Sequence, residues 1–156
     1  ARILRNRCVR CRLCIAQRRF PTCRPGCSLM PEALLEPRRL CAAEELVDGG
    51  AGVRFAVRLN TREIGAFVVR YDGAAHGYLN QCAHVPMELD WQEGQFFDSA
   101  GLYLMCATHG ATYAPDTGLC VGGPCKGAAL AKLRIEEREG AVFWLPEPPF
   151  FPLDAE

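Results

Sequence analysis

Histidine is scarce in this chain, three residues in 156, and no apolar run approaches the roughly 20 residues that a membrane-crossing helix needs. There is no charged, then apolar, then small-residue export leader. Nor is there the G-x-G-x-x-G pattern with which a strand-turn-helix unit holds a dinucleotide. These absences predict a cytoplasmic protein without a membrane anchor that does not hold a nicotinamide by that route.

Net charge is lacking too, at a formal zero, but the balance hides a division. Residues 1–40 hold ten arginines against Glu32 and Glu36, a net +8, whereas residues 41–156 hold eight basic and sixteen acidic residues, a net −8. An acidic body suits transient docking on a basic surface, because charge complementarity raises encounter rates without demanding tight binding. Acidity that serves solubility alone is the competing reading.

The first 29 residues contain eight arginines, no acidic residue and five of the ten cysteines, at positions 8, 11, 14, 23 and 27. Three readings compete. Cys8, Cys11 and Cys14 with Cys23 or Cys27 suggest a second metal site, but the spacing to the fourth ligand is wrong for a ferredoxin run. An arginine-rich arm for nucleic acid has only Phe20 as aromatic support. Composition favours the third reading, in which Met30 is the start and the residues before it are upstream sequence. Residues 1–40 are therefore expected to be a disordered or non-native extension, and no nucleic-acid partner is expected.

What is present from Val53 onward is a series of short alternating runs broken by glycine. The runs are Arg54 to Leu59, Ala66 to Tyr71, His76 to Asn80, Gln95 to Phe97, Leu102 to Cys106, Leu130 to Ile135 and Ala141 to Leu145. Their β-branched and aromatic content predicts an all-β antiparallel sandwich or small barrel, and 49% hydrophobic residues suffice for one core. A helical turn is expected at Glu44 to Asp48 before the Gly49-Gly50 break, and at most a short helix between Val85 and Trp91. The predicted domain covers 41–145, followed by a proline-rich tail over 146–156 marked by Pro146, Pro148, Pro149 and Pro152.

Two of the three histidines fall in two short pairs, Cys82-Ala83-His84 and Cys106-Ala107-Thr108-His109, separated by the 21 residues Val85 to Met105. Soft thiolates and borderline imidazoles suit an iron-sulfide centre, and two loops that each give one of each can build a [2Fe-2S] site with unequal ends. A Cys2His2 zinc site is the competing metal reading, although such sites usually place two cysteines before two histidines. Four unrelated core thiols and surface imidazoles remain the third, set against the loop-forming Pro86 and Gly110 beside the pairs.

The stretches Asn80-Gln81-Cys82-Ala83-His84-Val85-Pro86 and Cys106-Ala107-Thr108-His109-Gly110-Ala111-Thr112-Tyr113 resemble the two cluster-binding loops of the Rieske domain family. Asp116-Thr117-Gly118 and Gly122-Gly123-Pro124 resemble its proline loop. From about Cys41 to Leu145 the chain is similar to small bacterial Rieske ferredoxin-like proteins. The resemblance implies a Rieske-type [2Fe-2S] cluster with Cys82 and Cys106 on the inner iron and His84 and His109 on the outer, the ligand loops at hairpin tips, and Pro124 in the covering loop.

Respiratory members carry a further cysteine in each loop, joined as a disulfide, where this chain has Met87 and Thr108. They also carry a serine that donates to a cluster sulfide, where Ala111 stands here, and a tyrosine that bonds a cysteine sulfur, matched by Tyr113. Donors to sulfur stabilise the electron-rich reduced state, so the missing serine predicts a low potential, near the about −150 mV end of the Rieske range. A core aromatic is the competing role for Tyr113. Cys120 and Cys125 are expected to be packing thiols near the cluster, Cys41 a buried thiol, and His76 a residue of an exposed turn.

With His84 and His109 assigned, His76 is the one histidine left in this sequence, too few for the two-histidine mononuclear iron site of Rieske oxygenase subunits. The implied function is a soluble one-electron carrier and not an enzyme. It needs a reductase as donor and an oxygenase or another oxidoreductase as acceptor. The alternatives are a redox-sensing or accessory subunit of a larger oxidoreductase and, more remotely, a zinc-binding interaction module.

Overall fold

The structure, a computed structural model, describes residues 35–153, so the three readings of the first 29 residues lie outside the described residues. Eleven strands form among the described residues. They are β1 Arg38–Ala42, β2 Val53–Leu59, β3 Arg62–Tyr71, β4 Ala74–Leu79, β5 Leu104–Met105, β6 Thr112–Tyr113, β7 Cys120–Gly122, β8 Lys132–Leu133, β9 Ile135–Arg138, β10 Ala141–Trp144 and β11 Phe150–Phe151. Every named strand pair is antiparallel. They make one five-stranded sheet, β11-β2-β3-β4-β8, and two three-stranded sheets, β1-β10-β9 and β5-β6-β7. The all-β antiparallel class is the one the alternating runs predict.

Val57, Ala66 and Leu79 point to one side of the large sheet with Trp144, while Phe67, Val69 and Tyr78 point to the other. The period of two along a strand gives this division. On the second side Phe67 stacks on Phe96 with ring centroids 3.8 Å apart, and the same buried cluster runs on through Leu104 to Cys82, Cys106 and Tyr113. The core thus reaches the loops that carry the cysteine and histidine pairs.

Several boundaries differ from the sequence reading. The first strand is not the one after Gly49-Gly50: β1 crosses the expected domain start, because Cys41 is buried and Leu40 packs inward although two arginines precede them. The proline-rich tail contains β11, since its prolines flank Phe150 and Phe151, which pair with Leu59 and Arg58. Arg134 breaks the run Leu130 to Ile135, leaving β8 and β9 in different sheets. Gln95 to Phe97 is no strand; Phe97 makes a single bridge to Leu104. The helical turn shrinks to a 3-10 turn at Ala43–Glu45, where the Glu45 carboxylate accepts the Ala42 N–H at 2.7 Å, and no helix forms between Val85 and Trp91.

His76 lies within β4 opposite Val69 and is half-buried, which corrects the exposed turn expected for it. Burial first, then the nearby Lys132 charge, push its imidazole below the ordinary histidine range. No helix among the described residues is long and apolar enough to cross a membrane.

Candidate metal centre

β4 ends in Leu79, and Asn80 then closes the first loop from inside. Its side-chain amide donates to Asp90 Oδ1 at 2.8 Å, and its carbonyl oxygen accepts the Leu89 N–H at 2.8 Å. Asp90 accepts the Gly94 N–H through its other oxygen at 2.9 Å, with Arg54 Nη1 3.8 Å away. Both Asn80 and Asp90 are buried, so the hydrogen bonds replace water that each has lost. Within this clasp the Cys82 N–H donates to Met87 O at 2.9 Å, which turns the chain at Cys82-Ala83-His84.

The second loop joins β5 to β6 by a tight reversal. Cys106 N–H donates to Ala111 O at 2.8 Å and Gly110 N–H to Cys106 O at 2.9 Å, with Gly110 in the left-handed region at φ 66°. An Ala107 N–H to Leu89 O bond of 2.8 Å ties the two loops together. The third loop, between β7 and β8, closes on the second at Gly123. There φ is 90°, and a Cβ would stand 2.9 Å from the Ala111 Cα and 3.0 Å from the Gly110 oxygen. Only glycine fits that approach.

These three loops sort the candidate donors by depth. Cys82 and Cys106 are buried, at 4% and 0% exposure, within one core cluster. His84 and His109 are exposed, their rings edge-to-face with centroids 5.0 Å apart. The four side chains proposed from the sequence are therefore brought to one end of the fold, sulfur behind and nitrogen in front. Among the described residues, no three His, Cys, Asp or Glu side chains converge on one point as they would around a single ion.

Tyr113 is fully buried, and its hydroxyl sits 3.1 Å from Cys82 Sγ while accepting the Ala83 N–H at 3.0 Å. Tyr113 is thus a core aromatic whose hydroxyl stands beside the Cys82 sulfur. Burial alone would push the Cys82 thiol up. The Tyr113 hydroxyl, then the His84 and Val85 amides and the Cys106 thiol, outweigh it and bring Cys82 below the ordinary thiol range. Burial, then the thiols of Cys125 and Cys82, hold the Tyr113 hydroxyl above the ordinary phenol range, so it stays protonated and able to donate.

Met87 and Thr108 are exposed and carry no thiol to tie the loops, and Ala111 is fully buried with no hydroxyl to donate. Cys120 is buried and Cys125 half-buried, their sulfurs 3.0 Å apart. Sequence reasoning missed the Asn80–Asp90 clasp, for which the only signal was an asparagine at the end of an apolar strand.

A family model described as "Rieske [2Fe-2S] domain" matches residues 37–144. The chain belongs to the Rieske [2Fe-2S] domain family, whose cofactor is a Rieske-type [2Fe-2S] cluster. No curated protein matches the sequence significantly. Among solved structures it is similar to the Sphingomonas yanoikuyae B1 ferredoxin at TM-score 0.55 and 23% identity, over 72% of this chain and 100% of that one. It is similar to a chain of the complex of reduced oxygenase and oxidized ferredoxin in carbazole 1,9a-dioxygenase at TM-score 0.55 and 22% identity, over 71% and 94%. It also resembles the terminal oxygenase of carbazole 1,9a-dioxygenase from Nocardioides aromaticivorans IC177, at TM-score 0.54 and 19% identity over 71% of this chain, but spans only 30% of that one.

The donor set fits the family's cofactor. Two buried thiols in one apolar cluster and two exposed imidazoles beside it are what unequal iron ends require, and a protonated tyrosine beside one sulfur suits an electron-rich centre.

Proposed function

We propose that this chain is a one-electron carrier of low potential, in which Cys82 and Cys106 hold the inner iron and His84 and His109 the outer. The observation that carries this reading is the layering of buried thiols behind exposed imidazoles. When bound, a Rieske-type cluster supplies reversible one-electron redox chemistry. The protein's own residues do the rest. The clasp of Asn80 and Asp90 fixes the first loop, Gly123 lets the third loop shield the second, and the Tyr113 hydroxyl, 3.1 Å away, would donate to the Cys82 sulfur as a thiolate ligand. Ala111 offers no second donor, which keeps the potential low.

The exposed edges of His84 and His109 are the route by which an electron enters and leaves. A reductase as donor, and an oxygenase or another oxidoreductase as acceptor, complete the pathway. Support comes from the likeness to ferredoxin-sized chains over 94% to 100% of their length, against 30% of a terminal oxygenase.

Iron and labile-sulfide analysis with electron paramagnetic resonance of the reduced protein tests the assignment. About two irons and two sulfides per chain are expected, and Cys82→Ala or Cys106→Ala should abolish cluster incorporation while His84→Ala perturbs the resonance. A colourless, iron-free protein after anaerobic reconstitution would overturn it.

A further inference from the structure

Behind the proposed ligands lies a second sulfur pair that the carrier function does not use. Cys120 and Cys125 face each other across the loop that follows β7, their Sγ atoms 3.0 Å apart. Three hydrogen bonds hold the backbone around them: Cys120 N–H to Ala128 O at 2.7 Å, Gly127 N–H to Cys120 O at 2.9 Å and Ala128 N–H to Cys125 O at 2.9 Å. A covalent S–S bond is about 2 Å long, so the sulfurs need to close by only about 1 Å in a loop that is already folded. The accessibilities are unequal, since Cys120 is 1% exposed and Cys125 is half-buried.

We propose that Cys120 and Cys125 form a reversible dithiol-disulfide pair, a modification site for small-molecule disulfides. Cys125, as thiolate, attacks one sulfur of the oxidant. A mixed disulfide forms, the oxidant's own S–S bond breaks, and the first small thiol leaves with the Cys125 proton. The Cys120 sulfur then attacks the Cys125 sulfur and expels the second small thiol, which carries off the Cys120 proton. Two protein thiols have lost two electrons, and one disulfide has been reduced to two thiols. Burial, followed by contact with Cys125, holds the Cys120 thiol above its ordinary range, which suits the partner that waits protonated.

The pair also touches the cluster pocket through one hydroxyl. Cys120 donates to Gly122 O at 3.1 Å and Cys125 donates to Cys120. The single hydrogen of Tyr113 therefore faces two sulfurs, Cys82 at 3.1 Å and Cys125 at 3.3 Å. A disulfide sulfur is the weaker acceptor, so closing the bond commits that hydrogen to Cys82. This second consequence rests on Cys82 being a cluster ligand, and it shifts the cluster potential upward.

The test uses the full-length holoprotein equilibrated in buffers of oxidised and reduced glutathione, acid-quenched, alkylated and mapped by mass spectrometry, with a redox titration of each form. The expected result is joint protection of Cys120 and Cys125 in a peptide lighter by two hydrogens. Cys120→Ser should instead trap Cys125 as a mixed disulfide with the small thiol, and Cys41→Ser should leave the pair unchanged. The disulfide form should titrate at a higher potential than the dithiol form, a difference that Tyr113→Phe removes. Two freely alkylated thiols in fully oxidising buffer would overturn the pair. A disulfide with an unmoved potential would overturn the link through Tyr113. A disulfide in a protein that holds no cluster would overturn the ligand assignment and leave the pair standing.

Discussion

Tyr113 concentrates more chemistry in one atom than any other described side chain, since its hydroxyl meets the Ala83 amide and the sulfurs of Cys82 and Cys125. A donor to a ligand sulfur strengthens as the site gains an electron, so Tyr113→Phe should lower the reduction potential. A differential of about 1 kcal/mol corresponds to about 40 mV for a one-electron couple, and a redox titration reads that downward shift. The Cys-His pairs stood out because residue type and spacing alone suggest their chemistry, and the fold brings their imidazoles edge to face. The role of Tyr113 was legible only as two alternatives, because sequence cannot say whether a buried phenol ends beside a sulfur. The second sulfur pair was visible as two cysteines flanking a Gly-Gly-Pro turn, but their approach depends on where the turn lays Cys125.

Among the elements, the long strands β2, β3 and β4 were readable from their alternation, whereas β5, β6 and β7 were not all readable, because two or three residues are too few to show a period. β1 was hidden because Arg38 and Arg39 read as part of a basic extension, although the strand continues into Leu40 and Cys41, which pack inward. Loops are harder still. Asn80 and Asp90 are ten residues apart, and nothing in the pattern marks them as partners until the loop closes on them. Asn80→Ala would leave the Leu89 amide and part of the Asp90 carboxylate buried without partners, each at about 1–3 kcal/mol. The expected outcome is a lower denaturation midpoint with earlier loss of the visible cluster absorption, read by denaturant titration.

For the molecule as a whole, the net −8 of residues 41–156 bears on how the proposed partners would approach. Screening shortens the reach of charge to about 10 Å at 0.1 M salt. Electron delivery to a partner with a basic docking face should therefore slow as ionic strength rises, with the change in the association rate and little in the rate within the complex. Stopped-flow kinetics over a salt series separates the two, and a salt-independent association rate would assign the acidity to solubility alone.

The edge-to-face imidazoles of His84 and His109 open on a single stretch of surface, with the thiols sealed behind them. A carrier with one doorway cannot be loaded and unloaded at the same moment. Under the proposed function, donor and acceptor would take turns at the same threshold, so each would compete with the other for the seat, and an excess of either one in solution would throttle the traffic it is meant to serve.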